Sequence, residues 1–163
     1  MRKWLVPAAL ITVIVAIPLA VIAGTTRGMT PVKCISSQWR SSPVSTSSTA
    51  WRKVPGLNAD IAQVGPVIIN TSALISGAPV QFRVRSVNIG AQHRTSRPGP
   101  TRFVSGGAGA NSFAYQWIDR GNGAAVHELM IRLQWRSTNG HAVHMLRGDM
   151  TEAYATDHCS VAP

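Results

Sequence analysis

Apolar and polar residues alternate with period two through much of the chain. Leu129, Ile131, Leu133 and Trp135 alternate with Glu128, Met130, Arg132, Gln134 and Arg136. Val80, Phe82 and Val84 stand against Gln81, Arg83 and Arg85, and Phe113, Tyr115 and Trp117 against Ser112, Ala114 and Gln116. Successive strand side chains point to opposite faces, so this spacing predicts strands with one face on a core and one in water. The aromatics at 113, 115 and 117 are assigned to the core in preference to a sugar-binding face.

Turn signals cut the chain into short pieces: Pro55-Gly56, Gly65-Pro66, Pro98-Gly99-Pro100, Gly106-Gly107, Gly121-Asn122-Gly123 and Asn139-Gly140. From Trp51 onward no window carries a helical period. Seven or eight short strands at this spacing predict an all-β domain, an antiparallel β-sandwich or jelly roll, over residues 51–163. Asn139-Gly140 reads as a hairpin turn, since both residues tolerate positive φ. A two-residue loop there sets Trp135 opposite His144 and buries His144; a three-residue loop buries Met145 instead. The two-residue register is preferred.

The first 24 residues are of another kind. Arg2 and Lys3 precede an apolar run from Leu5 to Gly24 that only Thr12, Pro7 and Pro18 interrupt. Such a run, as a helix, spans roughly 30 Å, enough for a bilayer core. Pro18 and the Val21-Ile22-Ala23 triplet suit signal cleavage after Ala23. Residues 1–24 are therefore expected to form a signal or anchor helix, and both versions place the rest outside the cytoplasm, secreted or held at the membrane by residues 5–24. Residues 25–50, rich in serine and threonine, are expected to be a linker or a surface segment, with the linker proper confined to about Thr25–Lys33.

Export changes the reading of the two cysteines. Cys34 and Cys159 lie at the ends of the exported part, and an oxidising compartment favours a disulfide between them over catalytic or metal-binding thiols.

Composition adds one fact of weight. The chain has 163 residues, with 16 Lys and Arg against 6 Asp and Glu, for a formal net charge of +10. Charged residues make up only 13 %, about half the usual share. Between Asp60 and Asp119 there is no acid, while Arg83, Arg85, Arg94, Arg97 and Arg102 all fall in that interval. Arginine's planar fork suits phosphate and carboxylate groups. These five are the candidate binding residues, for an anionic cell-envelope polymer or a membrane surface. No aromatic interleaves with them in sequence, so a single-stranded nucleic-acid platform is not expected, nor is sequence-specific nucleic-acid reading.

Catalytic chemistry finds less support. There is no Gly-x-Ser-x-Gly elbow. Asp149 and Glu152 fall on opposite faces of a strand, and His141 and His144 are likewise three apart. His127-Glu128 lacks the second histidine of a zinc motif. Neither a metal nor another cofactor is expected. The sequence thus points to an exported, non-enzymatic binding or interaction module acting on an envelope polymer or another protein, with self-association a further expectation. The alternative is a small secreted hydrolase using Asp119, Glu128 or His127.

Overall fold

The computed structural model describes residues 34–61, 65–89, 94–120 and 128–154. The expected signal or anchor at 1–24 and Cys159 lie outside them, as do His93, His127, Asp157 and His158. Among the described residues no helix is long and apolar enough to cross a membrane.

The described chain is all-β. Its strands are β1 (Cys34–Arg40), β2 (Val44–Thr46), β3 (Arg52–Ile61), β4 (Val67–Gly77), β5 (Val80–Ile89), β6 (Arg94–Pro98), β7 (Arg102–Val104), β8 (Gly107–Asp119), β9 (Glu128–Ser137) and β10 (Val143–Tyr154). They form two antiparallel sheets. The first has the order β1-β10-β4-β8, with β2 continuing the β1 edge of β10; the second has the order β3-β9-β5-β6, with β7 continuing the β6 edge of β5. Taking each broken edge as one strand leaves four strands per sheet. The chain crosses between sheets at nearly every step, which is the wrapping of a jelly roll.

Alternation places the core as the sequence predicts. Leu129, Ile131, Leu133 and Trp135 face inward from β9, with Val80, Phe82 and Val84 from β5, and all are buried. From the other sheet come Val67, Ile69, Ile75, Val143, Met145 and Met150. Phe113 and Trp117 pack at the margin of this core, and Tyr115 is buried in it. Phe82 joins the layers: its ring stacks on Phe113 at 4.3 Å and meets Trp135 at 6.2 Å between centroids.

Two expectations need correction. The segment 25–50 is more than a linker or surface segment, because β1 and β2 lie within it and pair with β10 along residues 143–154. The domain therefore takes in residues from Cys34 onward. The second correction concerns Asn139-Gly140. The strands on either side do not pair: β9 lies in one sheet and β10 in the other. The turn is an arch between layers, which lets both strands turn their apolar faces to the same core. Only Gly140 has positive φ, so the type I′ geometry is absent. Asn139 instead uses its side chain, Oδ1 accepting from the His141 amide at 3.1 Å and from the Ser137 hydroxyl at 3.2 Å. Met145 is buried and His144 exposed, the reverse of the preferred register.

Local chemistry explains the irregular ladders. Pro55 has no amide hydrogen and Gly56 has φ +78°, and here the β3–β9 register breaks between Lys53 and Asn58. The register of β10 on β4 shifts between Met145 and Arg147. That shift keeps Met145, Gly148 and Met150 on the inner side.

Candidate functional site: an arginine face on the β5–β9 sheet

Side chains at alternate positions of β5 and β9 that do not enter the core form the outer surface of the second sheet. Direct partners across this ladder are Gln81 and Arg136, Arg83 and Gln134, and Arg85 and Arg132. Arginine and glutamine therefore form a checkerboard. Arg83 Nε donates to Gln134 Oε1 at 2.9 Å, and Arg136 Nε donates to Gln81 Oε1 at 2.8 Å. Arg85 Nε donates to Ser96 Oγ on β6 at 2.7 Å. In all three the internal bond uses Nε. Among the described residues no hydrogen bond uses the Nη nitrogens of these arginines. Each guanidinium is thus fixed by its inner nitrogen, with its outer pair available to an oxyanion.

Trp51 completes the arrangement. The guanidinium carbon of Arg83 lies 4.1 Å from the centre of its ring, and that of Arg136 lies 4.7 Å away. Cations over an indole face are held by the ring quadrupole, which offsets part of the repulsion between the two arginines. Burial lowers the Arg83 pKa, and the charges of Arg85 and Arg136 lower it further. This charge is crowded. A cleft of about 300 Å³ lined by Thr49, Gln81, Arg136, Ser137 and Thr138 opens beside it.

Arg132 plays another part. It would meet Arg85 directly, but Nη1 turns to Asp60 Oδ1 at 2.7 Å and to the Ala59 carbonyl at 3.0 Å. It is a compensated cation that ties β9 to β3.

The five arginines expected from sequence do not share this face. Arg83 and Arg85 do. Arg97 stands opposite Ser86, and Arg102 opposite Phe82, both inward positions of β5. Their side chains accordingly lean over the rim toward β8. Arg97 Nη1 lies 3.7 Å from Oδ1 of buried Asp119, and Arg102 sits 5.7 Å from the Tyr115 ring. Burial raises the Tyr115 pKa to about 12, with Arg102 opposing the shift. These contacts join the two sheets along one side. Arg94 is placed in β6 opposite Ile89.

Sequence reasoning missed Arg136 and Trp51. Arg136 was visible on the polar side of its strand, but its partner strand is 55 residues away in the chain. Trp51 stands just before β3, where no alternation marks it.

The carboxylates considered for hydrolysis stay apart. Asp119 ends β8 on the inner side, whereas Glu128 begins β9 exposed on the other sheet. Asp149 faces out and Glu152 in, as their spacing predicts. Among the described residues no group of three His, Cys, Asp or Glu side chains is placed to hold a metal.

No family model matches the sequence, and no curated protein matches it. Solved structures do resemble the fold. A structure of infectious bursal disease virus, Gx strain, superposes with a TM-score of 0.51 at 8 % identity, over 77 % of this chain and 33 % of that one. Eiger TNF from S. frugiperda gives 0.43 at 13 % identity, over 79 % of this chain and 98 % of that one. The CBM22-1–GH10 modules of Clostridium thermocellum xylanase 10B with xylohexaose give 0.41 at 10 % identity, over 77 % and 27 %. The chain thus spans about a third of the viral chain's length. At such identities the likeness bears on the fold alone: two antiparallel sheets wrapped as a jelly roll.

Proposed function

We propose that the protein is an exported, non-enzymatic binding module whose outer β5–β9 face takes up anionic envelope polymers. The observation that carries this reading is the set of three guanidiniums, Arg83, Arg85 and Arg136, each held through Nε and gathered around Trp51. A merely solvated charged face has no need of such fixing, since loose arginines keep more side-chain entropy. Phosphodiester polymers such as teichoic acids offer the repeated oxyanions that this spacing of donors suits.

Export rests on the basic residues and apolar run of residues 1–24, read as a signal or anchor helix. A Cys34–Cys159 disulfide belongs to the same reading. Cys34 stands opposite Tyr154 in the β1–β10 ladder, and Cys159 follows five residues later in the chain.

The test is binding of the purified protein to teichoic acid across a salt series. Three phosphate contacts imply roughly a hundredfold loss of affinity for a tenfold rise in salt, on the scale found for flexible polyanions. Replacing Arg83, Arg85 and Arg136 together by glutamine should remove most of the binding and flatten the salt slope. Binding that is indifferent to both changes overturns the reading.

A further inference from the structure

The opposite outer surface, on the β10–β4 sheet, is built from quite different residues. The ladders place Trp39, Asp149, Ser72 and Ala114 in one row across four strands. The next row holds Arg147, Leu74 and Ser112. Trp39, Asp149 and Arg147 stand on the β1 and β10 side, and apart from Leu74 the β4 and β8 positions are small: Ser72, Ser112 and Ala114. The result is a groove of about 700 Å³ with Trp39 at one wall. A second depression of about 360 Å³ shares Ser72, Ala114 and Asp149 with it and runs on past Asn70 and Gln116. The two are continuous and cross the strands. Volumes of this size are those of small-ligand sites.

Trp39 is 76 % exposed, the most exposed large apolar side chain among the described residues. An indole left this open on an edge strand gains nothing from the core. Its flat face is available for stacking, and its N–H for a hydrogen bond. Beside it stand Asp149 and Arg147, two residues apart on one side of β10. Asp149 accepts a hydrogen bond from the Ser72 hydroxyl and keeps further lone pairs. Arg147 has no hydrogen bond or ion pair among the described residues. Arg40 also lines the groove, with Nη1 donating to the Pro55 carbonyl, so one acid and two cations set a strong acceptor beside strong donors.

That combination selects among ligands. An anionic polymer would meet the Asp149 carboxylate. An apolar peptide or a second apolar surface would strip water from Asp149 and Arg147 without replacing their hydrogen bonds, at considerable cost. A pyranose fits each requirement. Its axial C–H face is flat and apolar, and its hydroxyls both donate to a carboxylate and accept from a guanidinium. The extension past Asn70 and Gln116 gives room for linked rings.

We infer that the groove across the β1–β10–β4–β8 face is a binding site for an uncharged oligosaccharide, with Trp39 as the stacking platform and Asp149 and Arg147 as the hydroxyl-reading pair. This site does not depend on the arginine face, which lies on the other side of the sandwich.

The experiment is an array of neutral and anionic oligosaccharides probed with the full chain and with Trp39→Ala and Asp149→Asn variants. Solution mass is measured in parallel. Trp39 and Asp149 are both exposed, so the variants should keep the thermal transition of the parent. The expected result is binding to at least one neutral oligosaccharide, weakened about tenfold or more by either substitution, a loss of stacking or of one charged hydrogen bond. The arginine-to-glutamine triple variant of the other face should bind the same oligosaccharide unchanged. Failure to bind any neutral glycan overturns the inference, as does binding that survives both substitutions. A dimer that Trp39→Ala dissociates would assign the face to a second copy and overturn it equally.

Discussion

The side-chain amide of Gln38 lies against the carboxylate of Glu152, its nitrogen 3.0 and 3.1 Å from the two oxygens, while its own oxygen accepts from the Ser36 hydroxyl at 2.7 Å. Glu152 is fully buried on the inner side of β10. The inner face of β1 is thus polar where it meets the last strand, and the edge of the sheet is closed by one buried acid.

Burial raises the Glu152 pKa from 4.5 to about 7, and hydrogen bonds from Gln38 and Ser36 pull it the other way. The folded chain therefore holds a proton on this carboxyl that the unfolded chain releases near pH 4.5. Between those two values the folded state binds more protons, so stability falls as pH rises through this window and levels off above it. The loss attributable to Glu152 is on the order of 2–3 kcal/mol. Denaturant unfolding at pH 5 and pH 8 should show this drop in the parent. Glu152→Gln should remove that part of the pH dependence and be the more stable protein at pH 8.

Trp51→Ala tests the arginine face without altering its charge. Loss of two cation–π contacts frees the Arg83 and Arg136 side chains. Affinity for teichoic acid should fall by roughly 5- to 30-fold, at about 0.5–1 kcal/mol for each of the two contacts. The salt slope should stay as in the parent, because the number of ionic contacts is unchanged. A titration at several salt concentrations separates the two effects.

Two glycines of the arch region should respond unequally. Gly77 has φ +95°, and a Cβ there would lie 2.5 Å from the Ala142 carbonyl oxygen. Gly140 has φ +79° with nothing near its Cβ position. Gly77→Ala combines strain with a backbone clash and should cost about 2–3 kcal/mol. Gly140→Ala carries the left-handed penalty alone, about 1 kcal/mol. Urea unfolding midpoints should order parent, Gly140→Ala and Gly77→Ala from high to low.

The cysteines offer a direct measurement. Intact mass without reductant should be two hydrogen masses below the reduced value, with no thiol titrating in denaturant. Cys34→Ser should then cost about 2–4 kcal/mol.

Residue alternation was enough to predict which side of β5, β8 and β9 meets the core, since period two fixes that locally, whereas the buried side of β10 came out reversed. Leu133, Trp135, Phe82 and Tyr115 are all where their spacing puts them. Partnership between strands was not legible, because it depends on which distant strand lies alongside. That is why Asn139-Gly140 suggested a hairpin: an Asn-Gly turn looks alike whether the chain doubles back in one sheet or crosses to the other. The arginines divide for the same reason. Arg85 and Arg97 are close in sequence, but Arg97 faces the inner side because its partner is Ser86. Conversely, Arg83 and Arg136 meet at Trp51 although 53 residues separate them. The groove at Trp39 was hidden because its strand lies in a serine- and threonine-rich stretch that read as a surface segment with no strand of its own.

The position of β10 sets an order of events for chain synthesis. Among the described strands, every ladder except that of β5 with β6 joins strands that do not follow one another in the chain. Within the first sheet, β1, β2 and β4 all pair with β10, the last of the described strands in chain order. A chain that emerges amino-terminus first can form its β5–β6–β7 segment and its β4–β8 ladder early, but β1 and β2, which among the described strands pair only with β10, must wait for residues 143–154. Such non-local pairing is slow to form. A nascent chain therefore leaves this edge of the first sheet open until residues 143–154 arrive, and a truncation before Val143 strips β1 and β2 of their partner.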